Sequence, residues 1–241
     1  MPRITTISLY HFQGFQDILW ALKQNKVARE PLEEVAGLTF YKLMGSGASG
    51  YSIFPDWNVY AILQVWESEA AADDYFRVHP LALEYANRAK FHLNLYLNLV
   101  KVRGAWDGEN PFGETSADAP SVAKSHLNNQ MAVLTRATIK KRHLFRFWKY
   151  VPHSQKPLNN APGLIFHKGI GEVPLIQMAT FSIWKDAAAM KSYAYGTQNH
   201  QGAIQRTRKH DWYREELFAR FTPFKSLGSW PNVPDFGASG L

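Results

Sequence analysis

The chain carries one pattern twice, and a duplicated chain has few folds open to it. GLTFYKLMG at Gly37 and GLIFHKGIG at Gly163 share Gly, Leu, Phe, Lys and Gly at identical spacing. Trp66 and Trp184 are each followed by an Ala run and, nine residues on, by Tyr75 and Tyr193. Each half then closes on a Gly-x-Trp, Gly104 to Trp106 and Gly228 to Trp230. Recurrences in the same order argue for internal duplication, so each copy is one structural unit.

Periodicity orders the elements of that unit. Ile4 to Phe12 alternates as a strand, and Gly14 breaks it before a helical pattern over Phe15 to Glu34 that Pro31 interrupts. GLTFYKLMGSG reads as a strand entering a glycine-rich turn, and Val59 to Trp66 as the next strand. Ser68 suits the N-cap of an Ala-rich helix that Pro80 interrupts near His79. Phe91 to Lys101, apolar at its odd positions up to Leu99, is a further strand. The second copy follows suit: a strand at Met131 to Ile139, a helix-like run at Lys140 to Val151, strands at Gly163 and Ile176 to Trp184, a charged helix from Gln201 to Glu216, and a last strand from Leu217.

Strand, helix, strand, strand, helix, strand is the ferredoxin-like βαββαβ unit. The expected class is α+β, with two such repeats packing their open sheet faces together as a pseudo-dimeric α/β barrel. The units run over residues 1–106 and 131–230, joined by a Gly, Pro, Ser and Asn-rich linker at 107–130 and followed by a tail at 231–241. Two separate beads are the alternative.

Composition removes several function classes. Without cysteine there is no thiolate-ligated haem, cysteine-held iron–sulfur cluster or thiol nucleophile. MPRITTISLYHF alternates and lacks a signal peptide's apolar run, and no apolar stretch suits a membrane span, so the expected location is cytoplasmic. The net charge of +7 fits nucleic acid, anionic lipid or an acidic protein partner. Its basic residues are scattered apart from Lys140, Lys141, Arg142 and Arg206, Arg208, Lys209, with no nucleic-acid-binding signature, so nucleic acid is not expected.

Chemistry is sought between Tyr193 and Phe224. His200 stands at the entry to a helix, with Ala203 and Ile204 on the same face. It reads either as a metal or haem ligand or as a satisfied polar residue or cap. Arg136 lies with Ala132 and Leu134 on one face of its strand, as the contact of a buried ligand or at a sheet edge. Gly45-Ser46-Gly47-Ala48 and Gly169-Ile170-Gly171 lack the lysine and spacing of phosphate loops and read as turns between strands. No His-x-x-x-His or His-Glu-x-x-His pair points to zinc.

PGLIFHKGIGEVPLIQMATFSIWK, NHQGAIQRT, WYREELFARFTPF and VRGAWDGENPF resemble the spheroidene monooxygenase family of carotenoid-modifying enzymes. The resemblance spans nearly the whole chain outside the linker and tail. It implies a dimeric α/β-barrel-type fold, haem b, dioxygen and electrons from a ferredoxin system, with oxygenation at C2 of an acyclic carotenoid such as spheroidene, two hydroxylations giving a ketone. His200, inside NHQGAI, takes the iron-ligand role, ahead of His79 and His167. Arg136 and Arg206 are candidates for propionate or oxygen-side contacts, and Ile204 and Trp212 are expected beside the cofactor. Expected partners are the apolar substrate, an acidic ferredoxin, the inner membrane face in peripheral contact, and a second copy of the chain as a homodimer. Against this haem-dependent monooxygenase stand a non-catalytic haem or apolar-ligand carrier, a cofactor-free enzyme, and a haem enzyme on a different substrate.

Overall fold

Several strands are buried on both faces, one set of residues turned into a shared interior and the other against helices outside, which a closed sheet with an outer helical layer satisfies. In the computed structural model, which describes residues 3–48, 52, 54–113, 129–149, 158, 161–196 and 211–237, the first repeat supplies β1 (Ile4–His11), β2 (Leu38–Gly47), β3 (Pro55–Trp66) and β4 (Phe91–Gly104). The second supplies β5 (Met131–Ile139), β6 (Leu164–Val173), β7 (Gln177–Trp184) and β8 (Tyr213–Gly228). They close into one antiparallel barrel in the order β1-β3-β2-β6-β7-β5-β8-β4. The expected pair of ferredoxin-like units forming a pseudo-dimeric barrel is therefore the fold.

Inward residues such as Ile7, Leu63, Leu95, Leu134, Phe181 and Phe221 form one buried cluster filling the barrel. Eight strands leave an interior just wide enough for side chains. The repeats meet at two seams. The longer joins β4 to β8, from Leu93 opposite Gly228 to Gly104 opposite Leu217. The shorter joins β2 to β6 through Gly45 opposite Gly171 and Ser46 opposite Ile170. The glycine-rich runs expected as turns thus lie within strands at this seam. Gly171 has no room for a side chain because of neighbouring β7, where a Cβ would stand 2.7 Å from the Gln177 carbonyl oxygen, whereas nothing lies within 4 Å of one on Gly45.

Helices α1 (Phe15–Val27), α2 (Arg29–Glu33), α3 (Glu69–Val78) and α4 (Pro80–Arg88) cover the first repeat. The second carries α5 (Ala187–Gly196) and a helical stretch at 141–149. The repeated residues do equivalent work. Ser68 Oγ accepts the N–H of Ala71 and Asp186 Oδ1 that of Ala189. Trp66 packs on Tyr75 at 5.1 Å and Trp184 on Tyr193 at 5.2 Å. Gly104 and Gly228 have φ of 90° and 78°, and a Cβ on either would meet a facing backbone carbonyl, of Glu216 or of His92, at 2.1 and 2.4 Å. Only glycine lets the chain turn so closely over the neighbouring strand. Lys225 on β8 reaches across to α3, binding Asp73 at 2.7 Å and Glu69 at 3.1 Å.

One boundary differs from expectation. Tyr213 to Glu216, expected to end a charged helix, already belongs to β8. Residues 213, 215 and 217 therefore alternate as a strand, and Glu215 shares the inward face of Leu217, Ala219 and Phe221.

Candidate active site

The antiparallel seams make the repeats exchange ends, so the barrel has two ends built from equivalent positions. Arg136 lies opposite Ala179 and Leu217, as Leu9 lies opposite Ala61 and Leu93. Glu215 lies opposite Thr138, as Phe91 lies opposite His11. One end thus carries Leu9, Phe91 and Trp230, the other Arg136, Glu215 and Trp106. At the first, Trp230 packs edge-on to Phe91 at 5.0 Å, and the polar contribution is the Lys168–Asp56 pair at 2.8 Å.

The other end is ionic. The Arg136 guanidinium, 1% exposed, donates from Nη1 to Glu215 and has Asp107 and Glu172 each 3.8 Å from Nη2. Lys42 pairs with Asp107 and with Glu172 at 3.1 Å. Trp106, wholly buried, donates its indole N–H to Glu172 at 2.8 Å, and its ring lies 5.3 Å from Arg136 and 6.0 Å from Lys42. The sequence Trp-Asp-Gly-Glu makes a two-residue hairpin here. Trp106 pairs with Glu109, and Asp107 and Gly108 have φ of 56° and 87°, as a type I′ turn requires. Both turn N–H groups, Asp107 at 3.2 Å and Gly108 at 2.7 Å, donate to the Glu215 carboxylate.

That carboxylate is held ionised. Burial alone would raise its pKa, but the Gly108 N–H, the Arg136 guanidinium and the Asp107 N–H together hold it below the usual carboxylate range. Arg136 keeps spare capacity: Nε and Nη2 are buried with no hydrogen-bond acceptor among the described residues. A buried donor without an acceptor is costly, which makes these two N–H groups candidates for a substrate or oxygen-derived oxygen atom.

Of the residues expected at the site, Arg136 is central to this cluster, and in a closed barrel it lies at no sheet edge. Trp212 is buried with Ile139, Phe147 and Met178 just outside the same barrel end. His200, Ile204 and Arg206 lie outside the described residues. His79 caps α4, its Nδ1 accepting the Leu81 N–H at 3.3 Å, and borders an open groove of about 520 Å³ between the segment 34–37 and α3. His167 is half-buried on β6, and burial, then the Lys168 charge, lowers its pKa. Asp107, Glu172 and Glu215 complete the cluster without a catalytic signal in the sequence, and Lys42 and Trp106 stand out there only as repeat positions.

No family model matches the chain. Against characterised proteins it is 38% identical to spheroidene monooxygenase of Rhodobacter capsulatus over 95% of this chain and 93% of that one. The chain belongs to the spheroidene monooxygenase family. Spheroidene monooxygenase of Cereibacter sphaeroides is 34% identical over 96% of this chain and 70% of its own length. Among solved structures, an aldoxime dehydratase aligns over 92% of this chain and 82% of its own, with a TM-score of 0.61 at 9% identity, a likeness of fold alone.

The haem b that the family resemblance implied is not supported. Among the described residues no group of three or more His, Asp or Glu could hold a metal ion. The described residues also do not fit the porphyrin. The interior between the repeats is filled by core side chains. Arg136, expected at a propionate, already faces Glu215, Asp107 and Glu172, with Lys42 as the other cation. A propionate would be a fourth carboxylate against two cations, a repulsive arrangement where screening is weak. Haem, iron and metal binding, and with them the reading as a haem-dependent monooxygenase, are therefore corrected to a monooxygenase-type member of the family without an assigned cofactor.

Proposed function

We propose that the chain is a monooxygenase-type oxidoreductase acting on a long apolar, carotenoid-like substrate, spheroidene being the first candidate, at the ionic end of the barrel. The observation that carries this is 38% identity over nearly the full length of both chains to a spheroidene monooxygenase. One oxygen atom of dioxygen enters a C–H bond and the other leaves as water, with two electrons from a reductant and two protons. The chain's share is positional and electrostatic. Arg136 Nε and Nη2 offer N–H groups to an oxygen atom, and Glu215, with Glu172 and Asp107 beside it, holds the guanidinium in place. Buried donors fixed before the reaction orient an oxygen atom without reorganising as it reacts.

A ferredoxin-type electron donor, a homodimer and contact with the inner face of the membrane belong to the same proposal, as does the division at 1–106 and 131–230. A cytoplasmic location accords with there being, among the described residues, no helix long and apolar enough to cross a membrane. A second copy is not needed to complete the barrel, which closes within one chain.

The test is incubation with an acyclic carotenoid, a ferredoxin and its reductase under isotopically heavy dioxygen, read by mass spectrometry. Heavy oxygen in the product supports the reading. Carotenoid binding without oxygen uptake would instead make the chain a carrier.

A further inference from the structure

Beside the ionic end, the described surface carries an apolar and basic patch that the chemistry above does not use. Segment 140–149, KKRHLFRFWK, holds five Lys and Arg residues and no acid. It follows β5 directly and is anchored from beneath: Phe147 is buried with Ile139, Met178 and Trp212, and Lys140 N–H donates to the Trp212 carbonyl at 2.8 Å. With Phe147 turned inward, Phe145 is turned out and is 83% exposed. Lys141, Arg142, Arg146 and Lys149 are exposed around it.

A second element completes the patch. The β6–β7 hairpin tip, Val173-Pro174-Leu175, is exposed and wholly apolar, and Leu175 has φ of 68°. Trp148 holds this tip against the basic segment, its indole N–H donating to the Leu175 carbonyl at 3.0 Å. Val173 directly follows Glu172, so the patch is continuous with the rim of the site. Asp211 is exposed beside it and pairs with Lys140, lying 3.8 Å from Arg142, which leaves Lys141, Arg146 and Lys149 without an acidic partner among the described ion pairs.

We infer that this patch is a docking surface for an anionic lipid bilayer, with Phe145 and the Val173–Leu175 tip entering the headgroup region and Lys141, Arg142, Arg146 and Lys149 meeting lipid phosphates. Exposed aromatic and aliphatic residues ringed by cations are the combination that seats a protein at a charged interface. The placement turns the ionic end of the barrel toward the bilayer, where a long apolar substrate dissolves. This inference rests on the proposed carotenoid-like substrate for its purpose, but its test does not need that substrate.

The full chain is sedimented with vesicles of phosphatidylcholine alone and of phosphatidylcholine with phosphatidylglycerol, without carotenoid. Binding is expected to the anionic vesicles, weakened by added salt, and not to the neutral ones. Phe145→Ser and the triple variant Lys141→Glu, Arg142→Glu, Arg146→Glu, each checked for a native thermal transition, should each lose about tenfold or more in partitioning. Phe15→Ser with Lys23→Glu on the exposed face of α1 serves as control and should bind as the parent does. Equal binding to neutral vesicles, no binding, unchanged binding by both patch variants, or loss in the α1 control overturns the inference. So does a triple variant that keeps vesicle binding but loses binding of ferredoxin, which would make this a protein-docking face. Vesicle binding with no oxygenation of any carotenoid would leave the surface intact and remove the proposed function instead.

Discussion

The two ends of the barrel began as the same structure and no longer match. Where one has Leu9 and Phe91, the other has Arg136 and Glu215. Trp230 packs on Phe91 and Phe166, whereas Trp106, its equivalent, packs on Phe40 and donates to Glu172. The more apolar end shows what the fold needs: Leu9, Phe91 and Trp230 closing an eight-strand barrel, with the Lys168–Asp56 pair beside them. The ionic end keeps the same closure and, beyond Lys42, which matches Lys168, adds the buried Arg136 guanidinium and the carboxylates of Glu215, Glu172 and Asp107 around it. Charges buried at such cost, where the sister position shows an apolar solution, point to function.

That comparison can be broken most forcefully at Arg136. Arg136→Leu, which copies Leu9, leaves Glu215 and Glu172 buried without their guanidinium and should cost about 3–5 kcal/mol in urea unfolding. The double variant Arg136→Leu, Glu215→Phe copies the apolar end at both positions. It should recover most of that stability while abolishing oxygenation. A double-mutant cycle on thermal and urea unfolding measures the recovery directly.

The tryptophans sharpen the contrast. Trp230→Ala and Trp106→Ala each remove a packed indole and should each cost about 3–5 kcal/mol. Trp106→Phe keeps the ring but strands Glu172 without its indole donor, so it should slow carotenoid oxidation. Trp230→Phe should leave turnover unchanged, and parallel assays of the two check this.

A smaller effect is expected at the turn that sets Trp106. Gly104→Ala forces a Cβ against the Glu216 carbonyl at φ of 90° and should destabilise by about 1–3 kcal/mol. Gly228→Ala should cost a similar amount at the other end, and equal losses would confirm that the two turns are structurally equivalent.

The smallest effect is on pH dependence. Glu215 has its carboxyl pKa depressed on folding, so its stabilisation is fully present above the unfolded value of about 4.3 and is lost as pH falls through the lower folded value. Unfolding measured from pH 7 downward should show this acid loss in the parent and a shallower one in Glu215→Gln. Phe91 contributes no such dependence at the apolar end.

Much of the architecture was legible because duplication leaves a double record. Gly37 with Gly163, Trp66 with Trp184 and the two Gly-x-Trp runs recur for steric reasons that hold in both halves. The glycine runs at Gly45 and Gly169 point to turns from composition alone, yet both lie within strands, and only the pairing of β2 with β6 and of β6 with β7 shows it. The ionic end was legible at Arg136, a charge among apolar strand positions. Glu215 was missed because Tyr213 to Glu216 reads equally as helix, and its place on the inward face depends on β8 beginning at Tyr213. Asp107 opens a stretch that reads as a linker, yet its Asp-Gly pair is the turn signal that brings two N–H groups to Glu215. Lys42 recurs as Lys168, and a recurring charge on a strand otherwise facing a core was a usable sign. His200, Ile204 and Arg206 lie outside the described residues, so nothing in this arrangement bears on them.

The central claim, that oxidation happens at the ionic end and not elsewhere on the barrel, is tested most directly by turnover of an acyclic carotenoid in the Arg136→Leu, Glu215→Phe double variant. The expected result is a cooperative thermal transition close to the parent's, together with no heavy oxygen in the carotenoid. Product formed at the parent's rate by that folded variant would contradict the assignment.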